Sequence, residues 1–458
     1  MPSEEHVDVV VVGMGPGGEA AAGRLTRAGR SVAVVERELI GGECAYWACI
    51  PSKTMLAPAR RLGELRRGVG LGEPAVDWEA TREHRDDLAR HLDDAAEAQR
   101  WADRAEVVRG DARFLGPGRV QVGARLLLAA HVIVATGSEP VVPPVDGLDE
   151  VAVWTNREAT TFAEVPESAI VLGAGPVGVE LGQLLARHGC RTTIVEMAPR
   201  VLPGVPDGAS ALLADVLEAD GVDLRCGRRA ERARRSASGA RIDLDDGSTL
   251  DAAVVVAATG RRPRTAGLDL DRVGIELDEH GAIPVDDRLR AADGVWAVGD
   301  VTGVLPFTHV ASYQGRVAAA DLLGEDVRAS YEGVPRVTFT DPDVAVVGLD
   351  ADAARQQGVD VAVAELELAE ALARPVTESA RPVGAVGVVV DRSRRRLVGA
   401  WAAAPGAAEW IHQPAMAIRH GLSVDALVDD VAQFPTWSEA WGTVLARLDL
   451  EPAPRPGR

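Results

Sequence analysis

Val7-Asp8-Val9-Val10-Val11-Val12-Gly13-Met14-Gly15-Pro16-Gly17-Gly18 is the stretch whose reading decides the fold. A short, β-branched apolar run bounded by glycines predicts a parallel strand buried on both faces. The glycines predict a tight turn into a helix, which here is alanine-rich, and Ser31-Val-Ala-Val-Val-Glu36 reads as the next strand. The same unit recurs further along the chain. Ala169-Ile-Val-Leu172 runs into Gly173-Ala-Gly175-Pro-Val-Gly178, then a helix, then Thr193-Ile-Val-Glu196. In both copies the acidic residue lies 23 positions after the first glycine. One such glycine finger is weak evidence, but two in full strand–turn–helix–strand–acid order are specific. Gly13, Gly15, Gly18 and Gly173, Gly175, Gly178 are therefore expected to let the backbone approach a pyrophosphate at a helix N-terminus. Glu36 and Glu196 are expected to bind a ribose hydroxyl. The chain is expected to hold two dinucleotides.

Outward from the fingers, 458 residues correspond to about three domains at roughly 150 residues each. The net charge of −20 argues against nucleic acid or an anionic membrane surface as partner. No run approaches the ~18 apolar residues of a membrane span. The opening Met1-Pro2-Ser3-Glu4-Glu5 lacks the order of a secretory signal, so the expected location is cytoplasmic. Lys53 is the only lysine among 49 basic residues. A chain that uses arginine everywhere else and keeps one ammonium points to a place where a forked guanidinium will not serve. The four cysteines are Cys44, Cys49, Cys190 and Cys226, too few for a disulfide scaffold in a chain of this length. Cys190 and Cys226 read as structural thiols, whereas Cys44 and Cys49 form a C-x4-C pair.

That pair lies in Gly41-Gly42-Glu43-Cys44-Ala-Tyr46-Trp47-Ala-Cys49-Ile-Pro-Ser-Lys53, which begins five residues after Glu36. The first bound dinucleotide would extend its reactive end there, so a redox disulfide is expected. No metal site is expected, because no further ligands lie at short spacing. A charged helical segment follows near 77–105, then strands ending in Val132-Ile-Val-Ala-Thr136-Gly137. The second module closes with Val254-Val-Val-Ala-Ala-Thr-Gly260, and Ala297-Val-Gly-Asp300 sets a carboxylate at a strand's C-terminal end. Beyond Pro335 the pattern becomes that of a separate α+β domain, with helices near 406–420 and 437–448 and a proline-rich tail expected to be disordered.

Taken in order, the segment GGxC-x4-CIPSK, both fingers, Ala135-Thr-Gly137, Gly260-Arg-Arg-Pro263, Val298-Gly-Asp300, and Phe339-Thr-Asp-Pro342 with Val347-Gly348 resemble one family. It is the FAD-dependent pyridine nucleotide-disulfide oxidoreductases, class I, the group of dihydrolipoamide dehydrogenase, glutathione reductase and mercuric reductase. The resemblance covers nearly the whole chain. It implies an α/β fold with two Rossmann-like dinucleotide-binding domains, for FAD and NAD(P), plus a C-terminal α+β dimerisation domain. The implied boundaries are 1–150 and 281–333 for FAD, 151–280 for NAD(P)H, 334–450 for dimerisation, and 451–458 for the tail. Glu36 would hold the FAD ribose and Asp300 the ribityl chain, with Gly42, Thr136, Gly137, Gly260 and His309 also at the cofactors. Cys49 would be the charge-transfer thiol and Cys44 the interchange thiol. Lys53 would lie at the flavin N5 edge, paired with Glu180. Glu196 favours NADH, with NADPH the alternative because Arg200 follows nearby.

The resemblance departs from the family at Glu43, which stands where threonine is usual before Cys44, and more seriously near the C-terminus. The family's disulfide reductases present a His-Pro-Thr-x-x-Glu segment from the partner subunit, whose histidine handles the thiol proton. Here the segment reads Gln433-Phe434-Pro-Thr436-Trp-Ser-Glu439. Phenylalanine does no acid–base chemistry. Glu439 remains a catalytic candidate, although Thr436 and Glu439 also fit a capping box. An aromatic residue at this position also occurs in mercuric reductases. Only nine Trp, three Tyr and five Phe occur in the chain, yet Tyr46 and Trp47 sit between the cysteines. Trp47 and Phe434 are the expected substrate pocket, suited to a flat or apolar acceptor. The expected activity carries electrons from NAD(P)H through FAD to Cys44–Cys49, and on to a small disulfide or other electrophile in a homodimer. The alternatives are an NAD(P)H-dependent quinone or metal-ion reductase, and a redox-responsive subunit that senses NADH.

Overall fold

The computed structural model describes residues 3–70, 72 and 75–450. The tail 451–458 lies outside the described residues. The chain divides into two compact units. The first comprises Met1–Ser52, Glu83–Val141 and Gly260–Ser330, and the second Lys53–Arg82, Val142–Thr259 and Tyr331–Arg458.

In the first unit the run that opens the sequence forms the strand Ser3–Val12 at the middle of a parallel sheet. Its neighbours are Val32–Glu36 on one side and Arg125–Val134 on the other, followed outward by Glu106–Arg109 and Val295–Ala297. Both faces of the strand are covered, as the unbroken valine run requires. Val10 and Val12 point into a core with Val132, Val134 and Phe114. Val9 and Val11 point into another, shared with Ala21, Leu25, Val317 and Ala318 of the helices Pro16–Arg27 and Thr308–Leu322. Those helices approach closely because Gly315 faces Gly17: a Cβ on Gly315 would lie 2.2 Å from the Gly17 carbonyl oxygen.

The second unit holds another parallel sheet, ordered Asp223–Cys226, Arg191–Glu196, Ser168–Leu172, Val254–Ala257 and Val153–Trp154. A three-stranded antiparallel sheet, Ala230–Ser236, Gly239–Leu244 and Thr249–Ala252, accompanies it. A five-stranded antiparallel sheet carries the C-terminal part, with Asp343–Gly348, Arg396–Ala404 and Ala385–Asp391 at its centre. The result is the mixed α/β architecture expected, with two parallel sheets and an antiparallel C-terminal one.

Three helical expectations change in detail. The segment near 77–105 is two helices, Trp78–Leu88 and Ala95–Ala102, separated by Arg90, His91 and Leu92 in left-handed backbone conformations. The pattern near 406–420 is likewise two helices, Ala407–Trp410 and His412–His420. The final helix is shorter than read, Glu439–Leu445. No described helix is long and apolar enough to cross a membrane.

Candidate functional site

The two glycine fingers are built alike. Gly13 and Gly173 have φ of +98° and +103°, which side-chain-bearing residues rarely adopt. A Cβ on Gly18 would lie 1.9 Å from the Gly13 carbonyl oxygen, and one on Gly178 would lie 1.9 Å from that of Gly173. The middle glycines, Gly15 and Gly175, have nothing within 4 Å of a Cβ position and leave the helix N-termini open. The acidic residues are locked by backbone donors in matching geometry. Glu36 accepts from Met14 N at 2.8 Å and from Glu38 N at 2.8 Å. Glu196 accepts from Ala174 N at 2.6 Å and from Ala198 N at 2.7 Å. An open pyrophosphate cradle ending in a fixed carboxylate suits a dinucleotide. Arg200 does not face that carboxylate. Its guanidinium donates to the carbonyls of Leu202, Pro203 and Val205 and lies 3.1 Å from Asp207.

In the first unit the segment that carries Cys44 and Cys49 folds back on its finger. Gly42 has φ of +64°, and a Cβ there would lie 2.9 Å from the Gly15 Cα. Ile40 N donates to Asp94 at 2.7 Å, and Gly41 N donates to the Met14 carbonyl at 2.8 Å. Tyr46 is fully buried beneath this loop and donates its hydroxyl to the Ile40 carbonyl at 3.1 Å. Tyr46 therefore belongs to the scaffold and not to an aromatic pocket. Burial raises its phenol above the ordinary value. Trp47 is half-buried and tilted against Tyr46, with ring centroids 5.8 Å apart.

Cys44 lies in the single-turn helix Gly42–Tyr46, and Cys49 opens the helix Cys49–Arg67. Both half-buried sulfurs reach one hydroxyl. Thr308 Oγ1 lies 3.4 Å from Cys44 Sγ and 3.2 Å from Cys49 Sγ. Glu43 points to Arg264 at 3.3 Å and Arg261 at 3.6 Å. Arg261 also donates to Ser138 Oγ at 2.8 Å, and that hydroxyl donates to Asp300 Oδ2 at 2.6 Å. The Arg261–Pro263 strand pairs with Ser138–Pro140, while Thr136 donates to the Arg264 carbonyl at 2.6 Å. Gly137 and Gly260, with φ of +71° and +115°, make the turns on this ladder. Glu43, read from the sequence only as a departure, is thus one end of a charged chain that ends at Asp300.

In the second unit Lys53 Nζ lies 2.7 Å from Glu180 Oε2 and 4.8 Å above the Phe339 ring. Glu180 Oε1 accepts from Phe339 N at 2.8 Å. Glu180 sits on the second finger's helix, Pro176–Arg187. That helix is anchored through Gln183 and Arg187 to the buried Asp341, which also accepts two bonds from Arg67. Glu439 accepts from Thr436 N at 2.7 Å, one half of a capping box, whereas the Thr436 hydroxyl turns to the Gln433 carbonyl. Phe434 is 76% exposed. Trp441 is buried against Trp410, as packing predicts. His309 is exposed and stacked on Phe307 at 5.4 Å, not packed inside. The residue at the sulfurs is its neighbour Thr308, which the sequence reading missed. The available signal was position: Thr308 is the first residue of a helix in the very segment from which His309 was chosen.

Residues 7–315 match the pyridine nucleotide-disulphide oxidoreductase family, and residues 334–445 match that family's dimerisation domain. Dihydrolipoyl dehydrogenase 2 of Haloarcula marismortui is 33% identical over 448 residues, covering 94% of each chain. A mercuric reductase of Streptomyces lividans is 33% identical over 456 residues, again covering 94% of each. Among solved structures, the HOCl-induced flavoprotein disulfide reductase RclA from Escherichia coli superposes with a TM-score of 0.85 at 28% identity, covering 96% of this chain and 99% of that one.

Proposed function

Because the chain belongs to the pyridine nucleotide-disulphide oxidoreductases, FAD-dependent enzymes that use NAD(H), we propose that Cys44 and Cys49 are its redox disulfide and pass electrons from NADH to a flat or apolar acceptor. The observation that carries this reading is the meeting of both sulfurs at the Thr308 hydroxyl, in the unit that also holds the first finger.

Bound FAD would supply transfer of an electron pair between the pyridine nucleotide and the disulfide. The chain's own residues divide the remaining work. Gly13, Gly15, Gly18 and Gly42 form the pyrophosphate cradle, and Glu36 takes the ribose. Asp300, oriented by Ser138, takes the ribityl hydroxyls. Gly173, Gly175, Gly178 and Glu196 do the same for NADH. The clamped Glu196 carboxylate repels a 2′-phosphate, and Arg200 is committed elsewhere. Lys53, held by Glu180, provides the fixed positive charge that favours negative charge in the reduced site. Cys49 is the thiol that keeps the electron pair and Cys44 the thiol that meets the acceptor. The domain boundaries read from the sequence, with 334–450 mediating self-association, form part of this proposal.

The acceptor class rests on what the 433–439 segment offers. It presents an exposed phenylalanine and a carboxylate with one oxygen already bound by Thr436 N, and it contains no histidine. A thiol leaving group without an acid nearby must have a low pKa, which suits aromatic disulfides and quinones better than glutathione disulfide. The mercuric reductase relative keeps metal-ion reduction as the second reading. Anaerobic NADH titration tests the centre. Uptake of two electron pairs with a long-wavelength absorption band is expected, and Cys49→Ser should abolish the band while FAD stays bound. A band unchanged in Cys49→Ser would overturn the assignment. Turnover of aromatic disulfide, quinone, mercuric ion and glutathione disulfide then distinguishes the acceptors.

A further inference from the structure

A single hydroxyl between two sulfurs does something neither sulfur can do alone. A threonine O–H has one proton to donate and two lone pairs to accept with. Thr308 Oγ1, at 3.4 Å from Cys44 Sγ and 3.2 Å from Cys49 Sγ, cannot donate to both at once. In the arrangement where it donates to Cys44, it is placed to accept from Cys49. Turning the O–H toward Cys49 reverses both roles.

We propose that Thr308 is the proton relay of the Cys44–Cys49 pair, passing one proton directly between the two sulfurs; this rests on the redox-pair reading above. The relay acts when one sulfur of the reduced pair carries a proton and the other does not. The thiol gives its proton to Thr308 Oγ1, and Thr308 gives its own hydroxyl proton to the thiolate. One S–H and one O–H bond break, one of each forms, and no charge leaves the pair. The relay sets which sulfur is the nucleophile, the choice that a histidine base makes in the family's disulfide reductases.

Two surrounding features favour a negative charge at this place. Thr308 is the first residue of the 15-residue helix Thr308–Leu322, so its hydroxyl sits at the positive end of a helix dipole. Cys49 is itself the first residue of the helix Cys49–Arg67. The carboxylate of Glu43, next to Cys44 in the chain, would oppose a thiolate and is offset by Arg264 and Arg261 at 3.3 and 3.6 Å. With the opposing charge neutralised, the hydroxyl's orientation decides where the thiolate sits.

The test measures each sulfur separately in the FAD-loaded protein. Anaerobic enzyme reduced with NADH is pulsed with iodoacetamide between pH 5 and 9, and Cys44 and Cys49 alkylation is quantified by peptide mass spectrometry. In Thr308→Val, which keeps the shape and removes the hydroxyl, the pH of half-maximal Cys44 alkylation should rise by about one unit, a tenfold slower reaction at fixed pH. Thr308→Ser should return it to within about twofold of the parent. Superimposable profiles for the parent and Thr308→Val would overturn the relay, and so would Thr308→Ser behaving like Thr308→Val, since packing would then explain the effect. Thr308→Ala serves in place of valine if that variant loses FAD. If NADH exposes no alkylatable thiol in the parent protein, the redox-pair reading itself fails, a result distinct from loss of the relay.

Discussion

The Lys53–Glu180 pair makes an asymmetric prediction, because its two partners are unequally buried. The Glu180 side chain is 10% exposed and that of Lys53 is 37% exposed. Two unit charges about 4 Å apart attract by roughly 4 kcal/mol at an effective dielectric near 20, and partial exposure of the ammonium cuts this to about 1–3 kcal/mol. Glu180→Gln keeps an acceptor for Phe339 N but turns an amide toward the ammonium. Lys53 can then move into water, and the expected loss of stability is about 1–2 kcal/mol. Lys53→Met is the harsher change, because it strips the ammonium from a nearly buried carboxylate and leaves it the Phe339 N–H bond. That loss should be about 3 kcal/mol or more. The double variant removes both charges and should recover about 1–3 kcal/mol relative to the summed single losses. Urea unfolding followed by circular dichroism on the four proteins completes the cycle. In parallel, stopped-flow reduction by NADH should be slowed in all three variants, and in Lys53→Arg, whose broad guanidinium replaces a point charge. Single losses that add within about 0.5 kcal/mol, or a Glu180→Gln variant less stable than Lys53→Met, would refute the argument.

Asp343 is buried, has an oxygen without a hydrogen-bond partner among the described residues, and is pushed from 3.8 to about 6 by burial. Its folded-state value is raised, so its stabilising contribution is full below about pH 4 and is lost as pH rises through about 6. Asp343→Asn should therefore raise the unfolding free energy by ~1–3 kcal/mol at pH 8 and change little near pH 4; equal midpoints across pH 5–8 would count against this. Glu196→Ala should raise the KM for NADH by about tenfold, on the order of one lost charge-assisted bond, and narrow the preference over NADPH; an unchanged ratio would remove Glu196 from nucleotide selection. Phe434→His should improve turnover of glutathione disulfide relative to quinone, and efficient parental turnover of glutathione disulfide with no preference for aromatic acceptors would sink the acceptor proposal.

What the sequence made legible was local and backbone-determined. The valine run from Val7 to Val12, the paired fingers and the carboxylates at fixed spacing all follow from constraints within about thirty residues. The structure shows these constraints as close approaches, with Gly18 against Gly13 and Gly178 against Gly173. Lys53 and Glu180 were reachable for another reason: one is compositionally unique and the other lies just past a finger. The burial of Tyr46 was not legible, because proximity to the cysteines in sequence says nothing about which face of a one-turn helix is buried. Its ring points under the loop, toward Ile40. The segment near 77–105 was read as continuous because charge and helix propensity persist through it, while the break is made by left-handed backbone at Arg90, His91 and Leu92, none of them a glycine.

The residues that escaped the sequence share a property. Thr308 lies far along the chain from both cysteines, and Glu43 meets arginines that are equally remote. Neither residue type is distinctive: threonines open many helices, and a glutamate among 69 acidic residues carries no signal. Their roles come from the group each one meets. A hydroxyl 3.2 and 3.4 Å from two sulfurs can carry a proton between them, and a carboxylate beside a thiol is tolerable once two guanidinium groups offset it. Motifs mark dinucleotide sites because such cofactors impose fixed backbone shapes. Proton handling imposes no such shape: any donor at hydrogen-bond distance will serve, so it can shift to a new residue without altering a motif. If Phe434 stands where the resemblance would put the family's histidine, a substitute has to be sought among side chains already in contact with the sulfurs.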